Sequence, residues 1–174
     1  MEGNVNNIYL VGMMGSGKSS SGRELARLLS FSFVDLDERV EERLGMSINE
    51  IFKTYGEPYF RKVESEVLSE VARDSDQVVA SGGGIVLNPC NNETMRKTGR
   101  AIYLKTMLDA LWERVKHKRD RPLLQTPNPK QVLADLLRIR GPLYEETSSG
   151  QFVTNGKSPE AVALEIYRTC FKQS

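Results

Sequence analysis

A glycine-rich segment near the amino terminus has the residue types and spacing of a phosphate-binding loop. It runs from Gly12 to Ser19 as G-M-M-G-S-G-K-S, fits the pattern G-x-x-x-x-G-K-[ST], and directly follows the apolar run 8–11. The glycines let backbone N–H groups point inward, and the positive end of the next helix dipole adds attraction for anionic oxygens. Lys18 can reach the β- and γ-phosphates of a nucleotide while the Ser19 hydroxyl ligates Mg²⁺. The alternative is a flexible glycine turn without a ligand.

Two aspartates, Asp35 and Asp37, lie at the end of the second apolar segment, which we predict to be a strand over 31–36. Because side chains alternate along a strand, both carboxylates are expected on the same side, facing the crevice that also holds the loop. The third predicted strand, 77–81, ends without an aspartate, so Asp35 is expected to supply the second anchor for Mg²⁺. Solvated turn aspartates are the alternative.

Arg61 and a run of three glycines are two further candidates. Arg61 lies off the apolar stripe of a helix predicted to start at Glu57, with Glu64 three residues further on. From this spacing alone, a surface ion pair is the favoured explanation. The glycines 82–84 follow the third strand and remove side chains where another group approaches the backbone closely; a packing turn is the alternative.

A basic segment, K-H-K-R-D-R-P over 116–122, follows a helix predicted from Thr106 to Lys118. Polar and proline residues over 125–129 then favour a loop. In a chain that already has a phosphate-binding loop, these cations favour a lid that closes over a nucleotide. A solvated run of charges is the alternative.

Composition limits the class of protein. The 174 residues are 39% hydrophobic and 27% charged, which suits a single domain over 1–174. The net charge of +1 gives no general attraction to nucleic acid or membrane, so neither is expected as a partner. Two cysteines without metal-ligand spacing, and an amino-terminal segment (1–7) without signal or transit character, predict a reduced, cytoplasmic protein.

Strands alternate with helices along the whole chain, which predicts an α/β three-layer domain around a parallel sheet with right-handed crossovers. The five predicted strands are 8–11, 31–36, 77–81, 100–105 and 151–154. The loop, the aspartates and the glycine run then all follow strands and meet at one edge of the sheet.

The motifs together resemble the shikimate kinase family along nearly the whole chain. They are G-M-M-G-S-G-K-S, D-L-D, G-E-P-Y-F-R-K-V-E, S-G-G-G, R-P-L-L and R-G-P-L-Y, in this order. The resemblance implies a P-loop kinase fold with a substrate-binding segment over about 37–61 and a lid over about 116–127. It also implies ATP- and Mg²⁺-dependent phosphorylation of the 3-hydroxyl of shikimate, in aromatic amino acid biosynthesis, by an enzyme that we expect to be a monomer.

The same resemblance implies roles for individual residues. Catalysis is expected from Lys18, Asp37 and Arg121, and metal binding from Ser19 and Asp35. Shikimate is expected to contact Asp37, Arg61, Gly83 and Arg140, with both arginines on its carboxylate. The residues expected to bind ATP are Gly15, Ser16, Gly17, Lys18, Ser19, Ser20, Arg114, Arg121, Lys157 and Pro159. Lys157 stands where a related enzyme uses arginine, so any stacked or forked contact there stays open.

Phosphoryl transfer requires alignment and charge neutralisation, which Lys18, Arg121 and Mg²⁺ would supply. Asp37 would orient the attacking hydroxyl, and a neighbouring Mg²⁺ and cations are expected to keep it ionised. The sequence leaves open whether Asp37 is a general base or only positions the hydroxyl. A kinase for gluconate or a nucleotide, and a non-catalytic protein derived from a kinase, remain alternatives.

Overall fold

The computed structural model describes residues 6–172. Within them, one parallel sheet has the order β2-β3-β1-β4-β5. Its strands are β1 (Asn7–Val11), β2 (Ser32–Asp35), β3 (Gln77–Ala80), β4 (Gly99–Lys105) and β5 (Gly150–Val153). The helices are α1 (Lys18–Leu29), α2 (Leu36–Leu44), α3 (Ile48–Tyr55), α4 (Glu57–Val71), α5 (Pro89–Thr98), α6 (Leu108–Val115), α7 (Pro129–Thr147) and α8 (Pro159–Cys170), with 3₁₀ turns at Ile85–Leu87 and Pro122–Leu124. Most of the amino-terminal segment on which the targeting prediction depends lies outside the described residues.

The sheet separates two apolar layers, as the predicted three-layer α/β fold requires. Ile8 and Leu10 of β1 are buried in the layer that contains α1 and α8, whereas Tyr9 and Val11 are buried in the opposite layer with α4 and α7. This alternation follows from the period of two along a strand. A strand covered on both faces is apolar throughout, as the run at 8–11 is.

The central position of β1 explains where the site lies. β1 pairs with β3 on one side and with β4 on the other, so the chain crosses from one half of the sheet to the other around it. In open α/β sheets, ligands bind at such a switch point, beyond the carboxyl ends of the strands. The glycine-rich loop follows β1 directly and therefore lies in this crevice.

Several predicted ends of elements differ from the structure. β2 ends at Asp35, and the following residues begin α2. The helix predicted over 106–118 is shorter: α6 begins at Leu108 without a side-chain cap and ends at Val115. The capping box predicted at Ser47 is present, since its hydroxyl accepts from the N–H of Glu50 and the Glu50 carboxylate accepts from the N–H of Ser47. No helix among residues 6–172 has the length and apolar character that a membrane span requires.

Candidate active site

The glycine-rich loop has the geometry of a phosphate cradle. Gly15 and Gly17 have φ of 81° and 91°, a left-handed backbone that favours glycine, and Gly17 is the N-cap of α1. The Lys18 ammonium donates to the carbonyl oxygens of Gly12 at 2.7 Å and Met13 at 2.9 Å. The loop therefore holds its own lysine at the helix N-terminus, where an anion would find both the ammonium and the free backbone N–H groups.

Burial perturbs the titration of Lys18. Its removal from water lowers its pKa to about 8; Asp37 opposes this effect, and Arg121 adds to it. Phosphate oxygens in the cradle would stabilise the charged ammonium. The site is thus electrostatically complementary to an anion close to Lys18.

Ser19 and Asp35 lie side by side, as a magnesium site requires. The Ser19 hydroxyl donates to Asp35 Oδ2 at 2.5 Å. Asp35 Oδ1 accepts from the backbone N–H groups of Asp37 and Glu38, at 3.0 and 3.3 Å, and so caps α2. One oxygen of Asp35 holds the helix while the other faces the hydroxyl, so a hard oxygen donor pair is available for Mg²⁺.

The predicted placement of Asp35 and Asp37 on one strand is wrong. Asp35 ends β2, but Asp37 is the second residue of α2. Both carboxylates still line one cavity, because the helix turns back over the strand end. Alternation along a strand is therefore not the reason that they meet.

A cavity of about 460 Å³ contains every residue expected to bind ATP. Its lining also includes Asp35, Asp37 and Gly83. The structure thus brings together all ten residues that the sequence resemblance implied for the nucleotide.

Two residues expected near the adenine have protein partners. Arg114 donates to the carbonyl oxygens of Gly15 at 2.9 Å and Thr154 at 3.3 Å, and so ties the cradle to the segment after β5. Lys157 forms an ion pair of 2.5 Å with Glu165. In this conformation Arg114 therefore supports the cradle and Lys157 is neutralised by α8.

A second, smaller cavity of about 70 Å³ contains Arg61, Gly83 and Arg140. Asp37 and Arg121 line this cavity as well as the larger one. The three predicted catalytic residues thus lie at or beside the junction of the two cavities.

Arg140 is a buried cation that has no acidic partner in the part of the chain that the structure describes. It is 3% exposed, and no acidic oxygen of residues 6–172 lies within 4.0 Å of its guanidinium nitrogens. Buried charges in proteins are normally paired, because desolvation of an isolated ion is unfavourable. The positive charge of Arg140 is therefore available to an anionic ligand in this cavity.

The ion pairs predicted for Arg61 are present, but the one with Glu64 does not lie on the surface. Arg61 does contact Glu57 at 3.1 Å and Glu64 at 3.0 Å, but its side chain is 22% exposed and that of Glu64 is only 1% exposed. Burial raises the pKa of Glu64 to about 7, although Arg61 opposes this shift. The pair belongs to the interior of the pocket, where Glu64 orients the guanidinium.

Burial also raises the pKa of Asp37, and Asp35 adds to the effect. Lys18, Arg121 and Arg61 oppose it without offsetting it. In the unliganded protein the neighbouring cations therefore do not bring the pKa of Asp37 down to its ordinary value. A carboxylate with a raised pKa is a better proton acceptor than an ordinary aspartate.

The predicted substrate-binding segment and the predicted lid contact each other. Asn49 of α3 donates to the carbonyl oxygen of Arg119 at 3.0 Å, and Leu124 of the lid is buried in the core. Ile48 and Leu123 line the small cavity from these two sides. The two segments together close the smaller cavity.

Sequence reasoning missed three residues of the site. The sequence spacing predicts Glu64 only as a surface partner of Arg61, although its place four residues before the buried Leu68 on the helix indicates burial. Tyr144 is fully buried and donates to the carbonyl oxygen of Gly83, and its spacing of four from Arg140 on α7 was the available signal. Lys118 lines the larger cavity and belonged to the basic run without being singled out.

Comparisons with known proteins agree with this geometry. A family model described as "Shikimate kinase" matches residues 14–171. The shikimate kinase of Actinobacillus pleuropneumoniae serotype 5b is 42% identical over 160 residues, which cover 92% of each chain. That of Nitrosospira multiformis is 43% identical over 92% of this chain and 82% of its own.

Solved structures give the same result. Shikimate kinase from Acinetobacter baumannii in complex with shikimate has a TM-score of 0.92 and 40% identity, covering 94% of this chain and 92% of its own. A gluconokinase from Sinorhizobium meliloti, at 17% identity and a TM-score of 0.54 over 93% of this chain and 89% of its own, shows the shared fold alone. With a family model over most of its length and relatives above 40% identity, the chain belongs to the shikimate kinase family.

Proposed function

We propose that this chain transfers the γ-phosphoryl group of ATP to the 3-hydroxyl of shikimate. The observation that carries the proposal is Arg140, a buried cation without an acidic partner among the described residues, in a small cavity that adjoins the phosphate cradle. A substrate carboxylate would supply the missing negative charge, and Arg61 lines the same cavity. The shikimate-bound relative from Acinetobacter baumannii, at 40% identity, supports this choice of substrate.

The residues at the junction have separate tasks in this reaction. When ATP binds, the Lys18 ammonium donates to phosphate oxygens instead of the loop carbonyl oxygens and stabilises the negative charge of the phosphates. Arg121 lines both cavities, and its Nε forms no hydrogen bond among the described residues, although it lies 3.7 Å from Asp120 Oδ1. Its guanidinium would donate to the transferring group. Asp37 holds the attacking hydroxyl and accepts its proton, since its raised pKa suits a general base.

Mg²⁺ would be held by the Ser19 hydroxyl and Asp35 Oδ2, together with phosphate oxygens and water. These oxygen donors fit the preference of Mg²⁺, which commonly takes only one or two protein ligands beside a nucleotide. When bound, the ion would neutralise charge on the β- and γ-phosphates.

The larger organisation follows from the same proposal. Residues 1–174 act as one kinase domain, with 37–61 closing on shikimate and 116–127 closing on ATP. The contact between Asn49 and Arg119 supports joint closure. We also propose a monomer, to be tested by sedimentation equilibrium.

The test is a screen of ADP release with shikimate, gluconate, AMP or no acceptor. We expect shikimate alone to stimulate ADP release, with one equivalent of shikimate 3-phosphate formed per ADP. Stimulation of ADP release by gluconate or AMP would instead indicate another class of kinase. If no acceptor, shikimate included, stimulates ADP release, the proposed reaction is contradicted.

A further inference from the structure

Gly84 lies directly against the guanidinium of Arg61. A methyl group built on Gly84 would overlap the central carbon and both terminal nitrogens of that guanidinium. The overlap with all three atoms means that the flat face of the guanidinium rests on the Gly84 backbone. The guanidinium occupies the space that a side chain at position 84 would need.

Gly82 has the same relation to Glu64. A methyl group at Gly82 would overlap Glu64 Oε1 and would lie 3.1 Å from Asp37 Oδ1. The other carboxylate oxygen of Glu64, Oε2, accepts a hydrogen bond from Arg61 at 3.0 Å. Gly82 and Gly84 therefore border the two ends of one ion pair.

Gly83, between them, differs in its surroundings. The atom nearest to a methyl group at this position would be Arg140 Nη1, at 3.4 Å. Its carbonyl oxygen accepts from the Tyr144 hydroxyl, which fixes this peptide group against α7. Gly83 thus presents its backbone to the pocket, whereas Gly82 and Gly84 leave room for the side chains of Glu64 and Arg61.

The backbone conformation does not explain the glycines. Neither Gly82, Gly83 nor Gly84 is among the described glycines with positive φ, and Gly84 has φ −97° and ψ 7°. Residues other than glycine adopt the angles of Gly84, and none of the three has the left-handed backbone that favours glycine. The requirement for glycine at 82 and 84 is therefore one of space.

We propose that Gly82 and Gly84 are positioning residues, whose missing side chains set the location of the Glu64–Arg61 pair in the substrate pocket. This inference rests on the proposed role of Arg61 in binding the substrate carboxylate. Specificity for a carboxylate then depends on two residues that themselves offer no side chain to the substrate. A Gly84→Ala substitution would displace the Arg61 guanidinium from its position against the backbone.

The atoms that would be displaced belong to the ends of flexible side chains. This distinguishes the two glycines from Gly99, where a methyl group would overlap the backbone of Asn7 in the neighbouring strand. Substitution at 84 is therefore expected to leave the fold intact and to move Arg61. The effect should be seen in the use of shikimate and not in the binding of ATP.

The test compares Gly84→Ala with the matched control Gly150→Ala. Gly150 also lacks positive φ, and a methyl group there would meet only Phe152, at 3.6 Å. We expect Gly84→Ala to raise KM for shikimate by roughly 10- to 150-fold, the range for losing a hydrogen bond to a charged group. KM for ATP and the melting temperature should match those of the control.

A double-mutant cycle with Arg61→Ala then identifies the cause. In the Arg61→Ala background, Gly84→Ala should add less than about a threefold change in KM for shikimate, because the overlapping group is gone. Additive losses, or a Gly84→Ala protein that does not fold, would overturn the inference. If Arg61→Ala alone leaves KM for shikimate unchanged, the proposed role of Arg61 fails. A crystal structure of Gly84→Ala would then still show whether the guanidinium has moved.

Discussion

Replacing Arg140 with methionine tests the assignment of the anion site most directly. Methionine keeps an unbranched, flexible stem and removes the buried charge. Because a buried cation without an acidic partner among residues 6–172 is unfavourable in the unliganded protein, the Arg140→Met variant should unfold at the wild-type temperature or above. A residue whose main role is structural would give the opposite result.

The expected loss of binding follows from the contact that disappears. A hydrogen bond to a charged group contributes about 1.5–3 kcal/mol, so the dissociation constant for shikimate should rise roughly 10- to 150-fold. At a shikimate concentration about 100 times the wild-type dissociation constant, the ligand stabilises the wild type by about 2.7 kcal/mol. The same concentration should stabilise the Arg140→Met variant by only about 0.3–1.4 kcal/mol.

The assay is urea unfolding with and without shikimate. Arg138→Met is the matched control, since Arg138 lies on the same helix with a side chain that is 74% exposed and 3.9 Å from Asp135. This control should keep the full stabilisation by shikimate. An analogue with a hydroxymethyl group in place of the carboxylate should stabilise the wild type and the Arg140→Met variant equally weakly, because both changes delete one interaction.

One result would refute the assignment. If Arg140→Met lowers the stability of the unliganded protein while shikimate still stabilises it by about 2.7 kcal/mol, Arg140 has a structural role and the carboxylate binds elsewhere.

Four further predictions concern the remaining parts of the site. Asp37→Asn should lower turnover by about 10²–10⁴ at saturating ATP without changing ATP affinity, and turnover within a few-fold of wild type would remove this residue from the chemistry. The pKa of Glu64 is raised to about 7, so the native state binds more protons than the unfolded state and wild-type stability should fall as pH rises from about 5 to about 8. Urea unfolding should show a shallower fall for Glu64→Gln, and equal slopes would contradict the raised pKa. Asp35→Asn should keep the cap of α2 and raise the Mg²⁺ requirement, whereas Asp35→Ala should also lose about 0.5–2 kcal/mol of stability; a shared Mg²⁺ requirement with wild type would argue against a metal ligand. Finally, ATP should protect residues 116–127 from proteolysis, and cleavage at an unchanged rate would rule out a nucleotide-closed lid.

Local rules determined the cradle from sequence. An apolar strand, a glycine turn and a helix beginning at Lys18 follow one another without a gap, and each depends on residues that are close in the chain. The α/β class followed from the same kind of evidence, because alternating apolar segments of strand and helix length leave few ways to bury both faces of a sheet. The strand order β2-β3-β1-β4-β5 is not contained in any local pattern.

Arg61 shows where local rules stop. Its spacing from Glu57 and Glu64 describes the same pair on a surface helix or in a pocket, since the contacts at i−4 and i+3 are identical in both. Only the packing of α4 against the segment after β3 excludes water from Glu64. That burial raises its pKa to about 7 and turns an ordinary ion pair into a part of the site.

The two aspartates and the glycine run depended on tertiary structure for the same reason. Asp35 and Asp37 meet because the chain turns from β2 into α2, which strand periodicity did not predict. Gly82 and Gly84 could be recognised as positions of close approach, but the approaching groups come from residues far away in the sequence. Sequence determined which residues carry the chemistry; the packing of distant segments decided which of them lose water and which atoms they face, because burial and contact are properties of the folded chain.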